Sequence, residues 1–222
     1  MTPEIQTIPV AGAGEVSAIF MRPAKARWLL TLAHGAGAGM THPFLRALAE
    51  ELGKVGVATL RYQFPYMEQH RKLPDPPAVL QATVVAAATA AKILGKGLAL
   101  LAGGKSMGGR MTSQAAATHT LADVRGLVFY GFPLHPPNKP GAKRAEHLSR
   151  VTIPMLFLQG TRDTLADLSL LEPICAELGA RVTLHVLDTA DHGFHFLKRS
   201  GNSDADGLRE LAETTASWAA KL

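Results

Sequence analysis

The sequence predicts an α/β fold: a mostly parallel central sheet with helices on both faces and an antiparallel hairpin added at one edge. Three observations predict it: short apolar runs recur along the chain, segments with helical spacing lie between them, and the two kinds alternate. The hairpin comes first, with strands at 5–10 and 16–21 joined by the Ala-Gly-Ala-Gly turn at 11–14. The runs at 28–33, 57–60, 98–102, 127–130 and 154–158 are continuous rather than alternating and end at Gly, His or Arg. That pattern suits strands covered on both faces in a parallel sheet. Residues 182–186 alternate instead, which places a half-exposed strand near a sheet edge.

Helices fill the gaps. Phe44, Leu45, Leu48, Ala49 and Leu52 form one apolar stripe, and Leu208, Leu211, Ala212, Thr215, Trp218, Ala219 and Leu222 form the last. Pro77 suits the first turn of a helix over 78–94, with Gly53 and Gly95 as helix stops. Further helices are expected at 106–118 and 171–178, the latter carrying Cys175 as a buried small residue. Two irregular stretches, 63–77 and 131–150, are rich in proline and basic residues and follow strand ends, where open α/β sheets place their binding crevices. They are expected to form pocket walls, with Phe64, Tyr66, Phe132 and Leu134 as substrate contacts.

Composition narrows the function classes. With 222 residues, 47% of them hydrophobic and 18% charged, the chain can bury a full core, and a single domain over 1–222 with no large cap is expected. The net charge of +5 is scattered and aromatics are only 6%, which argues against a nucleic-acid surface. One cysteine excludes an intramolecular disulfide and fits a reducing, cytoplasmic setting. The N-terminus has an early acid and no apolar run, so no secretory signal is expected. The most apolar window, 78–91, is interrupted by Gln81 and threonines, so no membrane partner is expected either. The oligomeric state is left open, a homo-oligomer included.

The strongest motif is Gly104-Lys105-Ser106-Met107-Gly108, a G-x-S-x-G that follows one expected strand and opens one expected helix. That context is what a nucleophile elbow requires: a turn sharp enough to strain the serine backbone, flanked by residues small enough to let strand and helix approach. A serine hydroxyl needs a base to take its proton and a carboxylate to orient that base, and in this strand-elbow-helix arrangement they follow in the order acid, then histidine. Asp163, after the strand ending at Gln159, and His192, after a strand ending near Leu187, occupy those places. Asp167 instead suits a helix N-cap, and Asp188 and Asp191 lie too close to His192 to support it from a neighbouring strand end.

Backbone N–H groups must then hold the oxyanion that develops on the attacked carbonyl. Met107 supplies one from the elbow, and the loop His34-Gly35-Ala36-Gly37-Ala38-Gly39 supplies another, assigned to Ala36 with Gly37 as the neighbour to be separated from it. Competing readings fail on spacing. A phosphate-binding P-loop needs glycine at 99, which is Ala99, and a dinucleotide fingerprint after Gly35 and Gly37 needs glycine at 40, which is Met40. His192 and His195 lack a third ligand at zinc-site spacing, so no metal is assigned. Arg110 has two readings, a helix anchor or a partner for an anionic substrate.

The elbow Gly-Lys-Ser-Met-Gly-Gly, the His-Gly-Ala-Gly-Ala-Gly loop, Gly-Thr-Arg-Asp at 160–163 and Asp-His-Gly-Phe at 191–194 together resemble the α/β-hydrolase superfamily over nearly the whole chain. They are most similar to its small, cap-less dienelactone-hydrolase-like group, which includes testis-expressed protein 30; residues 61–68, 133–137 and 197–201 share in the likeness. The resemblance implies Ser106, Asp163 and His192 as a triad and no metal or organic cofactor. It departs from the dienelactone hydrolases that use a cysteine nucleophile, because position 106 is serine. The expected function is a serine hydrolase cleaving a small carboxylic ester or thioester through an acyl-serine intermediate, with a non-catalytic binding or scaffold protein on the same fold as the alternative.

Overall fold

In the computed structural model, which describes residues 2–119, 121 and 123–222, one sheet of eight strands runs in the order β1-β2-β4-β3-β5-β6-β7-β8. The hairpin β1 (Glu4–Val10) and β2 (Gly14–Met21) is antiparallel and joins the sheet by pairing β2 antiparallel to β4 (Val57–Tyr62). From β4 onward, β3 (Trp28–Ala33), β5 (Ala99–Lys105), β6 (Val124–Tyr130), β7 (Met155–Arg162) and β8 (Val182–Asp191) are all parallel. β8 closes the far edge, as its alternating sequence indicates.

The continuous apolar runs arise because the strands are covered twice. Along β6 and β7, Leu127, Phe129, Met155 and Phe157 face α3 (Pro77–Gly95), α4 (Met107–Thr118) and α5 (Leu168–Leu178), while Val128, Tyr130, Leu156 and Leu158 belong to the core under α1 (Pro43–Lys54) and α6 (Asp204–Ala219). Each alternate side chain therefore has its own core, and neither face needs polar residues. α3 is long and apolar enough by length and composition to cross a membrane, which the threonine-interrupted sequence had argued against. In the fold it is a core helix, packing Leu80, Val84, Ala87 and Ala91 inward.

Several strands outrun their apolar sequence. β5 extends through Gly103 to Lys105, and β8 through Asp191, because main-chain pairing continues after the hydrophobic residues stop. Gly103 belongs there for a steric reason: a β-carbon on it would lie 2.0 Å from the Val128 carbonyl oxygen. The stretch 63–77 contains a short helix, α2 (Pro65–Glu68), and 131–150 ends in a 3₁₀ segment, Lys143–Arg150. α6 starts with a capping box, Ser203 and Asp206 each bonding the other's main-chain N–H.

Where β3 and β4 leave the sheet, His34 pins their exits together. Its Nε2 accepts from the Phe64 N–H at 3.1 Å, so Nδ1 carries the proton and donates to the Gly35 carbonyl at 2.7 Å. The ring is fully buried, and burial pulls its pKa down from 6.5 to about 4. His147 is likewise held at about 4, by burial and then by the Arg110 and Arg150 cations.

Between pH 6.5 and 4 the unfolded chain therefore binds protons that the folded one refuses, and stability must fall as the pH drops through that window. The shift at His34 alone corresponds to a loss on the order of 3 kcal/mol. Urea midpoints measured at pH 7, 5 and 4 should fall in that order, and His34→Gln should flatten the decline. Gly103→Ala, forced against the Val128 carbonyl, should cost about 3 kcal/mol or more in thermal unfolding.

Candidate active site

Ser106 stands between the last residue of β5 and the first of α4, with φ at +52° and ψ at −119°. A non-glycine residue in this region carries about 1–3 kcal/mol of strain, held in place by its surroundings. Those surroundings are glycines. A β-carbon on Gly104 or on Gly108 would stand 2.5 Å from the Ala33 carbonyl oxygen, and one on Gly109 would stand 2.8 Å from that of Gly104. Serine at this helix-start position would ordinarily cap the helix with its hydroxyl. Ser106 makes no such bond, and its Oγ lies 2.9 Å from His192 Nε2 instead.

The imidazole is in turn 2.7 Å from Asp163 Oδ2 through Nδ1. Because the carboxylate can only accept, Nδ1 carries the proton in the neutral ring, and Nε2 presents a lone pair to the serine O–H. Asp163 is 5% exposed and accepts three bonds in all: from His192, from Gln159 Nε2 at 2.5 Å and from the Leu165 N–H at 2.8 Å. Gln159 is oriented by accepting the Phe132 N–H at 3.0 Å on its Oε1, so its NH₂ must face the acid. Asp191 shapes the turn that carries His192, accepting from the Gly193 and His195 N–H groups at 2.7 and 2.9 Å. Asp167 caps α5 through the Ser169 N–H, and His195 turns away from His192 to pair with Asp204 at 2.6 Å.

Ser113 and His147 also meet, at 2.7 Å, but on a different footing. Ser113 is fully buried and donates its hydroxyl proton to the Arg110 carbonyl, so His147 is the donor to Ser113 Oγ and takes no proton from it.

A cleft of about 610 Å³ opens beside Ser106, and Ala36 and His192 line it. Gly37 is separated from Ala36 by its partner: its N–H donates to the Tyr66 hydroxyl at 2.9 Å. Met107 is the first residue of α4, where the helix itself leaves the N–H without an acceptor. The rest of the wall is mostly apolar, from Phe44 and Leu45 on α1, Phe194, Leu208 on α6 and Leu165, with Lys105, His42, His195 and Asp204 as its polar members.

This corrects the expected substrate contacts. Phe64, Tyr66, Phe132 and Leu134 are fully buried and belong to the core under α3, α4 and α5, on the opposite face of the sheet from α1 and α6. Phe64 packs edge-on against His34 and Tyr62, and Phe132 against Phe129 and Phe157. Neither 63–77 nor 131–150 contributes to the cleft, whose walls come from 35–47, 165 and 192–208. Aromatic residues in proline-rich connections looked like lining; here they seal the core where those connections leave the sheet. Gln159, His34 and Lys105 escaped sequence reasoning as site residues. Their one signal was a polar side chain placed at the end of an apolar strand, beside a motif.

A family model described as an alpha/beta hydrolase domain matches residues 26–220. Among solved structures, the chain is similar to a lidless α/β serine hydrolase from Xanthomonas campestris (TM-score 0.77, 19% identity, covering 98% of this chain and 95% of that one). It is also similar to a dienelactone hydrolase from Anabaena variabilis (TM-score 0.74, 22% identity, 98% and 97% covered) and to Est1E from Butyrivibrio proteoclasticus (TM-score 0.72, 16% identity, 98% of each). At such identities the structural likeness is one of fold, and the family follows from the model match across most of the chain: this protein belongs to the α/β-hydrolase domain family.

Proposed function

We propose that this protein is a serine hydrolase that cleaves a small carboxylic ester or thioester. The observation that carries the reading is the unbroken chain from Ser106 Oγ to His192 to Asp163, at 2.9 and 2.7 Å, opening on a cleft. His192 takes the hydroxyl proton as Ser106 attacks the carbonyl carbon, Asp163 holds the ring in the tautomer that can accept it, and the N–H groups of Met107 and Ala36 receive the oxyanion. The protonated imidazole then hands its proton to the departing alcohol or thiol, leaving an acyl-serine. Water, deprotonated by His192, attacks that acyl group and restores the serine. As written, the reaction uses no cofactor.

The apolar wall of Phe44, Leu45, Phe194 and Leu208 supports an uncharged acyl or alcohol portion lying between α1 and α6. The likeness to a lidless serine hydrolase supports the same reading. The unbridged Cys175 supports a cytoplasmic setting for the enzyme.

A fluorophosphonate probe should label the wild-type protein and Ser113→Ala, but not Ser106→Ala. Labelling that persists in Ser106→Ala would overturn the nucleophile assignment, and folded wild-type protein inert both to the probe and to a panel of short-chain aryl esters would leave a binding protein on this fold. Asp163→Asn, which can no longer enforce the accepting tautomer of His192, should lower kcat by about 10³–10⁴-fold with the fold intact by circular dichroism.

A further inference from the structure

We propose that Lys105 is a positioning residue that latches the His192 turn to the serine elbow and so sets the distance between Ser106 Oγ and His192 Nε2. This inference rests on the hydrolase reading above. Ser106 leaves the sheet at the end of β5 and His192 at the end of β8, and β6 and β7 stand between those strands. No pair of neighbouring strands therefore fixes the two side chains relative to each other. Lys105, the residue immediately before the serine, reaches across the gap and donates from Nζ to the main-chain carbonyl of His192 itself at 2.5 Å.

The side chain is held along its route. Nζ lies 5.3 Å from the centroid of the Phe194 ring and 5.9 Å from that of Phe44, and those two rings stack at 5.6 Å with 12° between their planes. Phe194 sits two residues beyond His192, so the lysine grips the same turn twice, once by its carbonyl and once by its aromatic face. On the remaining side the latch passes Gly131, where a β-carbon would stand 3.0 Å from Nζ, 3.4 Å from His192 Nδ1 and 3.5 Å from Asp163 Oδ2. The absence of a side chain at 131 is what lets ammonium, imidazole and carboxylate share one small space. The charged groups acting on Lys105 are Asp163 at the end of β7 and Asp191 at the end of β8, both favouring its ammonium form. Burial opposes them and is the larger effect, bringing the pKa down to about 8. Below that pH the bond to His192 is charge-assisted; above it a neutral amine, a weaker donor, replaces the ammonium.

The test compares full-length wild type, Lys105→Met and Lys105→Arg on a short-chain aryl ester and in the rate of fluorophosphonate inactivation. Lys105→Met should lose about 10–100-fold in kcat and in inactivation rate with KM within about threefold, since a misplacement of about 1 Å at the reacting atoms costs on that order. Lys105→Arg, which keeps a cation and a donor, should recover part of that loss. Wild-type inactivation should decline as the pH rises through about 8, and Lys105→Met should lack that decline. A folded Lys105→Met with unchanged kcat, or with only KM raised, would overturn the latch; the second result would make Lys105 a substrate contact. Should Lys105→Met not fold, Lys105→Gln, which keeps a donor but no charge, is measured in its place: a loss in kcat and inactivation rate with KM held supports the latch, and unchanged rates overturn it. Failure here leaves Ser106-dependent labelling intact, whereas failure of the hydrolase reading removes it.

Discussion

The carbonyl oxygen of Ala33 fills the space where a β-carbon on Gly104 or on Gly108 would stand, 2.5 Å away in either case. β3, β5 and the first turn of α4 therefore close on one another with main chain against main chain. That contact frames the three residues between the two glycines, and the middle one, Ser106, takes a positive φ with its hydroxyl turned toward His192. It also brings the loop after β3 against the elbow, with the Gly35 position in ordinary van der Waals range of Ser106. The chain crosses between the two faces of the sheet here, since β3 leads to α1 on one side and β5 to α4 on the other, and the crevice opens at that switch.

How much of this was legible depends on whether the information is local. The elbow was, because the glycine requirement is steric and falls within five residues of sequence. Asp163 and His192 stood out because each follows an apolar run, and the structure brings both side chains to Ser106. The cleft walls were not legible. Which face of the sheet a loop folds onto depends on the helices it meets, and Phe64 and Phe132 lie on the face opposite α1 and α6 for reasons no local pattern carries. The ambiguity between Ala36 and Gly37 had the same origin: the Tyr66 hydroxyl that occupies the Gly37 N–H comes from 29 residues further along the chain.

Polar groups at the strand ends form a supporting layer around Ser106, His192 and Asp163. His34 fixes the loop that carries Ala36, Gln159 orients Asp163 while bonded to the chain leaving β6, and Asp191 folds the turn that presents His192. All three bond main chain and Gln159 also bonds the Asp163 side chain, so His34 ties the exits of β3 and β4 together and Gln159 those of β6 and β7. Buried bonds of this kind are worth most when every member is satisfied, and Asp163, accepting on both oxygens, meets that condition.

β8 is the last strand of the sheet and has a main-chain partner on one side only, β7. The imidazole thus hangs from an edge strand, while the serine hangs from one paired on both sides. Edge strands fray at a lower free-energy cost than the sheet unfolds. The two halves of the site consequently have unequal backing: the strand that carries His192 can open at a lower free-energy cost than the one that carries Ser106, so the endurance of the Ser106–His192 contact is bounded by the rim of the sheet.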